Sequence, residues 1–235
     1  RAAERDRLQA ALLTSISHDL RTPLASILGA ADGLAGLPDL TADDRKALLS
    51  TIQEEAERLN RFIANLLDMT KLESGAVAPN MGLVDVSEVM GTTLRRAERI
   101  LAGHRVETAL DPGLPMVRID PVLFEQVLFN LLDNAAKYAF AGTTISMEGR
   151  RAGDLVSLRI LDEGPGIPQA DLERVFDKFY RVRKADSQRA GTGLGLAICR
   201  GFVESMGGTI EAGNRADRPG AVFTITLPAQ AEATA

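Results

Sequence analysis

Two groups of side chains have the types and spacing to do chemistry. The first is His18, followed at once by Asp19 in the run HDLRTPL, residues 18–24. An imidazole beside a carboxylate is poised for nucleophilic work, because the acid can hold one ring N–H and leave the other nitrogen's lone pair free. The second group is a strip of amides ending in a cation and an aromatic ring. Gln126, Asn130, Asn134, Lys137 and Tyr138 recur at i, i+4, i+8, i+11 and i+12, so a helix carries them on one face, with Val127, Leu131 and Ala135 on a neighbouring apolar face. Amide oxygens suit a hard cation such as Mg²⁺ bridging phosphates, and Lys137 adds a point charge for them. Tyr138 can stack on a base or simply pack.

Two glycine motifs extend this pattern. DEGPGIP, residues 162–168, sets an acid ahead of Gly164 and Gly166. The glycines let the backbone turn tightly against a flat ligand while Asp162 accepts a hydrogen bond from an exocyclic amine. GTGLGL, residues 191–196, opens a helix, so that the N–H groups of residues 193–195 and the positive helix end can hold phosphate oxygens. It does not follow a strand, which disfavours a dinucleotide-binding fingerprint. Between the two motifs, residues 175–190 pass from Phe176 and Phe179 into a charged stretch. A mobile lid anchored by the phenylalanines is expected there.

The elements that must position these groups are legible from periodicity. Leu8, Leu12, Ile16, Leu20, Leu24, Ile27 and Leu28 form an apolar stripe that predicts one helix over residues 4 to about 34. His18 lies about 160° around that helix from Ile16 and Leu20, so it is expected to face water, with Thr22 on its own face. Pro23 should bend the helix just beyond it. GLAGLPDLTADD, residues 33–44, breaks the pattern and offers Thr41 or Asp43 as the next N-cap. A second stripe from Leu48 to Leu72 predicts a helix over residues 44 to about 74, ending at Ser74-Gly75. Two helices alone bury too little, so dimerisation into a four-helix bundle is the expected solution.

Composition shifts at about residue 76 toward Val, Gly and Pro, as a linker running into a strand. Helices are expected at 87–102, 121–139 and 194–206, and strands at 105–110, 115–119, 143–149, 154–161, 208–213 and 221–227. That mixture predicts an α+β sandwich with helices on one face of a mixed sheet. The domain reading is therefore residues 1–75, a linker at 76–83, a second domain at 84–228 and a frayed tail at 229–235.

At 235 residues and 45% hydrophobic content the chain can bury a core, and no stretch approaches the ~20 apolar residues of a membrane helix. No membrane contact is expected of this piece. Arg1 in place of Met, inside a polar helix-forming run, suggests a fragment whose upstream part is missing. The formal charge of −5 argues against a nucleic-acid surface. Cys199, the single cysteine, excludes an internal disulfide and reads as a small core residue, and His104 as a surface or turn histidine.

HDLRTPL resembles the acceptor box of bacterial sensor histidine kinases. NLLDNAAKY, DEGPGIP, the phenylalanine run and GTGLGL resemble, in order, the N, first glycine, F and second glycine boxes of their ATPase domain, which is shared more loosely with gyrase and MutL-type ATPases. The resemblance covers nearly the whole chain. SISHDLRTPL, the downstream NLLDMTKLESG and GLGLAICRGFVESMGGTI are similar to the potassium-responsive Kdp-type members.

The resemblance implies a protein-histidine kinase using ATP and Mg²⁺, with a homodimeric bundle and a response-regulator receiver domain as partner. His18 would receive the phosphoryl group, Asp19 would accept its proton or orient it, and Thr22 would position water for dephosphorylating the regulator. Asn130, Asn134 and Gln126 would be metal contacts. Lys137 would bind phosphate, Tyr138 would neighbour adenine and Asp162 would anchor it. Gly164, Gly166, Gly191, Gly193, Leu194 and Gly195 would shape the pocket and lid. The fragment would be the cytoplasmic portion of a bacterial inner-membrane protein. Hydrolytic relatives carry a glutamate one turn before the first Asn, where this chain has Gln126. An amide cannot take a proton, which tilts the chemistry from hydrolysis to transfer, with Glu125 next door as the acid still to be placed. A gyrase-like ATPase and a non-catalytic dimeric scaffold are the competing readings.

Overall fold

The computed structural model describes residues 2–36, 39–182 and 193–230, without the side chains of residues 2–16, His18 and Asp19. The chain divides into two compact units, Arg1–Asp68 and Met69–Ala235.

The first unit is built on the helical hairpin expected from the two stripes, α1 (Ala2–Gly36) and α2 (Ala42–Glu73). Of the two candidate caps, Thr41 is the one used. Its Oγ1 accepts the Asp44 N–H at 3.1 Å and donates to Asp44 Oδ2 at 2.6 Å, which satisfies an orphan donor of the first turn. Asp43 and Asp44 also favour the positive helix end. α1 continues through Pro23. Ala30 and Phe62 are buried, whereas Leu24, Leu28, Leu49, Ile63 and Leu67 remain exposed, so one chain covers only part of its apolar stripe.

The second unit carries a five-stranded sheet in the order β2-β4-β5-β7-β6. These strands are β2 (Arg105–Leu110), β4 (Thr144–Ala152), β5 (Leu155–Leu161), β6 (Thr209–Asn214) and β7 (Ala221–Pro228). β2 runs parallel to β4 and every other pair is antiparallel. A small antiparallel pair joins β1 (Gly82–Val84) to β3 (Val117–Ile119). The helices are α3 (Val86–Leu101), α4 (Pro121–Tyr138) and α5 (Gly195–Ser205). Ile145, Met147, Val156, Leu158, Ile160, Ile225 and Leu227 alternate along the strands and join Val127, Leu128, Leu131, Ile198 and Phe202 of the helices in one core. This is the expected sandwich.

α4 starts where its sequence says it should. Asp120 caps it, with Oδ1 accepting from Val122 N at 2.9 Å and Leu123 N at 3.2 Å, and Pro121 occupies the first turn. Asp120 Oδ2 accepts the Asn80 N–H at 2.8 Å, tying the incoming segment to the same cap. Among the described residues no helix is long and apolar enough to cross a membrane.

Candidate nucleotide site and acceptor helix

α4 presents its two faces as the spacing predicts. Val127, Leu131 and Ala135 are buried, and Gln126, Asn130, Asn134, Lys137 and Tyr138 are all half-buried. The Asn130 Nδ2 is buried and finds no hydrogen-bond acceptor among the described residues. It lies beside Cys199, whose thiol is pushed up to about 12 by burial, an effect the Asn130 side chain opposes in part. Cys199 is thus the core residue expected, with Sγ 3.7 Å from the Val127 carbonyl. Lys137 pairs with Asp133 one turn earlier. Glu125 pairs with Arg96 of α3 at 3.1 Å, and the Arg96 guanidinium lies 4.7 Å from the Phe129 ring centroid. His104 is half-buried in the turn after α3, with Nε2 3.2 Å from the Ala136 carbonyl, so it is a turn histidine held against α4 and not a free surface one.

DEGPGIP follows β5 directly. Asp162 is buried, and its Oδ1 accepts both the Gly164 N–H at 2.9 Å and the Ala221 N–H at 3.0 Å. The described residues supply partners for that oxygen only. Burial raises the Asp162 pKa, and the two N–H groups and the Arg215 charge offset this incompletely. A Cβ at Gly164 would lie 2.5 Å from the Tyr138 carbonyl oxygen, so glycine is what lets the loop meet the end of α4. The Phe140 N–H donating to the Glu163 carbonyl at 3.1 Å closes the same contact. Two motifs separated in sequence, the amide strip and the acid-glycine loop, therefore share one edge of the sandwich.

The phenylalanine run is anchored as expected. Phe176 is buried and meets Phe223 edge-on with centroids 6.3 Å apart, while Arg200 of α5 lies 4.0 Å above its ring. Phe179 takes the left-handed conformation, φ 62°, and its N–H donates to the Gly193 carbonyl at 2.9 Å. Gly193, φ 67°, leaves no room for a side chain, since a Cβ would sit 2.7 Å from the Phe179 backbone. The second glycine motif is thereby stapled to the first phenylalanines. Leu194 is buried, and among the described residues no side chain caps α5, which packs beside α4. Gly191 and the charged stretch at 183–192, where the lid is expected, lie outside the described residues.

His18 and Asp19 lie in α1, and their side chains lie outside the described ones. Around them Ser17, Arg21 and Thr22 are exposed, Leu20 is half-buried and Pro23 is buried. Among the described residues no group of three His, Cys, Asp or Glu side chains could hold a metal ion.

Residues 8–75 match the His Kinase A (phospho-acceptor) domain, and residues 119–231 match the histidine kinase-, DNA gyrase B- and HSP90-like ATPases. The chain belongs to the histidine kinases. This kinase chain is 40% identical over 227 residues to the sensor protein KdpD of Clostridium acetobutylicum, which covers 96% of the chain and 25% of KdpD. It spans about a quarter of the length of the first curated relatives that it matches. Among solved structures it is similar to the Acinetobacter baumannii histidine kinase AdeS, with a TM-score of 0.68 and 28% identity over 91% of this chain and 98% of that one. It is also similar to the mycobacterial sensor histidine kinase MprB, with a TM-score of 0.57 and 30% identity over 64% of this chain and 98% of that one.

Sequence reasoning missed Asn214, Arg215 and the Ala221 N–H, which hold the Asp162 loop from the far side. None of them belongs to a motif, and they lie about fifty residues from the loop.

Proposed function

We propose that this chain is the catalytic core of a dimeric sensor kinase that transfers the γ-phosphoryl group of ATP to His18 and then to an aspartate of a response-regulator receiver domain. The observation that carries this reading is the presence, in one chain, of a phospho-acceptor domain match containing His18 and an ATPase match containing the amide strip. The full-length protein would be a bacterial inner-membrane sensor with this portion in the cytoplasm. A role in potassium or osmotic signalling rests on the likeness to Kdp-type kinases.

The donor set fits the ligand. Asp162 has one oxygen committed to backbone N–H groups, which leaves Oδ2 to accept from the adenine 6-amino group, and Tyr138 borders the same loop. Asn130 buries its nitrogen, so its amide oxygen is the atom that can face a ligand, and Asn134 and Gln126 offer the same chemistry one turn either side. These three residues would hold Mg²⁺, which when bound neutralises charge across the β- and γ-phosphates. The amides of Gly193, Leu194 and Gly195 would take phosphate oxygens, as would Lys137 once released from Asp133, with Gly164, Gly166 and Gly191 shaping the walls.

In the transfer step the His18 ring nitrogen facing away from Asp19 attacks the γ-phosphorus, and the bond from that phosphorus to the bridging oxygen breaks. ADP leaves with the oxygen's charge, and Asp19 stabilises the remaining ring N–H. Positioning and charge neutralisation supply most of the rate, because little covalent chemistry falls to the protein. In a separate phosphatase reaction Thr22, exposed on α1, would orient a water that attacks the phosphorus of the regulator's aspartyl phosphate, releasing inorganic phosphate and the free carboxylate.

Incubation with γ-labelled ATP tests the reading. Acid-labile label on the wild type that is lost in His18→Gln, with nucleotide binding retained, is the expected result. Released phosphate without protein label would favour a gyrase-like ATPase, and neither would favour a scaffold.

A further inference from the structure

The loop that carries Asp162 is mounted from outside the sequence motifs. Asn214, the last residue of β6, grips it through two bonds: its Oδ1 accepts the Ile167 N–H and its Nδ2 donates to the Ile167 carbonyl, both at 2.7 Å. One side-chain amide thus replaces a two-bond backbone pairing at the loop's downstream end. At the upstream end Arg215, whose side chain is only 8% exposed, points Nη1 at the Asp162 carbonyl, 3.4 Å away. Its fork is fixed by the Asp217 carboxylate, Nε at 3.0 Å and Nη2 at 2.9 Å. Arg218 extends the grip to Glu163 at 2.9 Å.

The backbone of the same hairpin closes the assembly. Ala221 accepts from Asp162 N at 3.0 Å and donates to Asp162 Oδ1 at 3.0 Å. A Cβ at Gly220 would fall 2.0 Å from the Asp162 carbonyl oxygen, and one at Gly166 would fall 2.6 Å from Asn214 Oδ1. The turn therefore meets the loop backbone to backbone at Asp162 and through the Asn214 side chain at Gly166. A carboxylate that reads one amine needs its free oxygen held in place, because a hydrogen bond weakens steeply with misalignment.

We propose that Asn214 and Arg215 are positioning residues for base recognition, fixing residues 162–167 so that Asp162 Oδ2 discriminates nucleotides bearing the 6-amino group from those lacking it. The inference rests on the ATP reading above. The whole 235-residue chain is titrated with Mg²⁺-ATP and with purine riboside triphosphate, which lacks only that amine, while amide exchange at Ile167 is followed.

Wild type should prefer ATP. Asn214→Ala should weaken ATP about tenfold while the deamino analogue changes less than about twofold, with faster exchange at Ile167. Arg215→Lys, which keeps the charge and loses the fork, should act in the same direction. Asn214→Ser, which keeps one polar contact, is read the same way should the alanine variant not fold. Equal weakening of both nucleotides, or unchanged discrimination, would overturn the inference and leave the ATP reading intact. A wild type with no preference for the amine would instead remove the assignment of Asp162.

Discussion

Glu125 is paired with Arg96 across the α3–α4 contact, Nη1 to Oε1 at 3.1 Å, which commits the acid beside Gln126 to a cation on another helix. The position one turn before Asn130 is Gln126, an amide that cannot take a proton from water. Glu125→Gln should leave His18 labelling within about twofold and shift stability by less than about 1 kcal/mol, as a partly exposed pair does. Gln126→Glu should raise phosphate release at least about tenfold, by restoring a general base. Parallel assays of protein label and free phosphate measure both effects, and a fall in labelling with Glu125→Gln would reassign the acid.

Burial of the Asp162 carboxylate costs stability at neutral pH. Its folded-state pKa is raised, chiefly by burial, so the folded state holds its proton more tightly than the unfolded chain does. Stability from this group is therefore greatest below the ordinary carboxylate range, falls as pH rises through the raised folded value, and stays low at neutrality. Asp162→Asn removes the charge and keeps an oxygen for the Gly164 and Ala221 N–H groups. The nucleotide-free variant should melt above wild type at pH 7, with the gap closing as pH falls, while ATP affinity drops at least about tenfold. Melting curves across pH with calorimetric titration check this, and a lower melting temperature at pH 7 would count against it.

The parts of the site that rest on local periodicity were legible in the sequence. α4 announces itself through Asp120, Pro121 and the buried positions Phe124, Val127, Leu128, Leu131 and Ala135, so the faces of Asn130 and Asn134 follow. Thr41 and Asp44 likewise mark the start of α2. What sequence could not supply is long-range pairing. Asn214 meets Ile167 across 47 positions and Ala221 meets Asp162 across 59, through a β6–β7 turn with no motif of its own. Lys137 reads as a phosphate charge, yet its i,i−4 neighbour Asp133 occupies it in the structure, a local pair that the motif reading passes over.

The Asp120 cap joins two roles, since one carboxylate accepts three backbone N–H groups from Val122, Leu123 and Asn80. Asp120→Ala orphans all three at a partly buried helix start. A loss of about 2–4 kcal/mol is expected for the second unit, with weaker nucleotide binding because α4 carries the amides. Asp120→Asn, which retains the acceptor for the cap, should lose about half as much. Urea unfolding followed by a probe in the second unit gives the values, and a change below about 0.5 kcal/mol for the alanine variant would mean that the cap does not hold the helix.

Leu28 and Leu67 remain 56% and 55% exposed in a single chain although both lie on the apolar stripes of the hairpin. Covering a leucine fully is worth about 1.5–3 kcal/mol, and a two-fold bundle repeats each contact, so these positions should hold a dimer together. A carboxylate there cannot be buried without a partner. Leu28→Asp combined with Leu67→Asp should shift the chain from dimer to monomer in sedimentation velocity at micromolar concentration. ATP binding should persist, since the residues proposed to hold the nucleotide all belong to the second unit. A doubly substituted chain that still sediments as a dimer would mean that the stripes are covered by something other than a second copy.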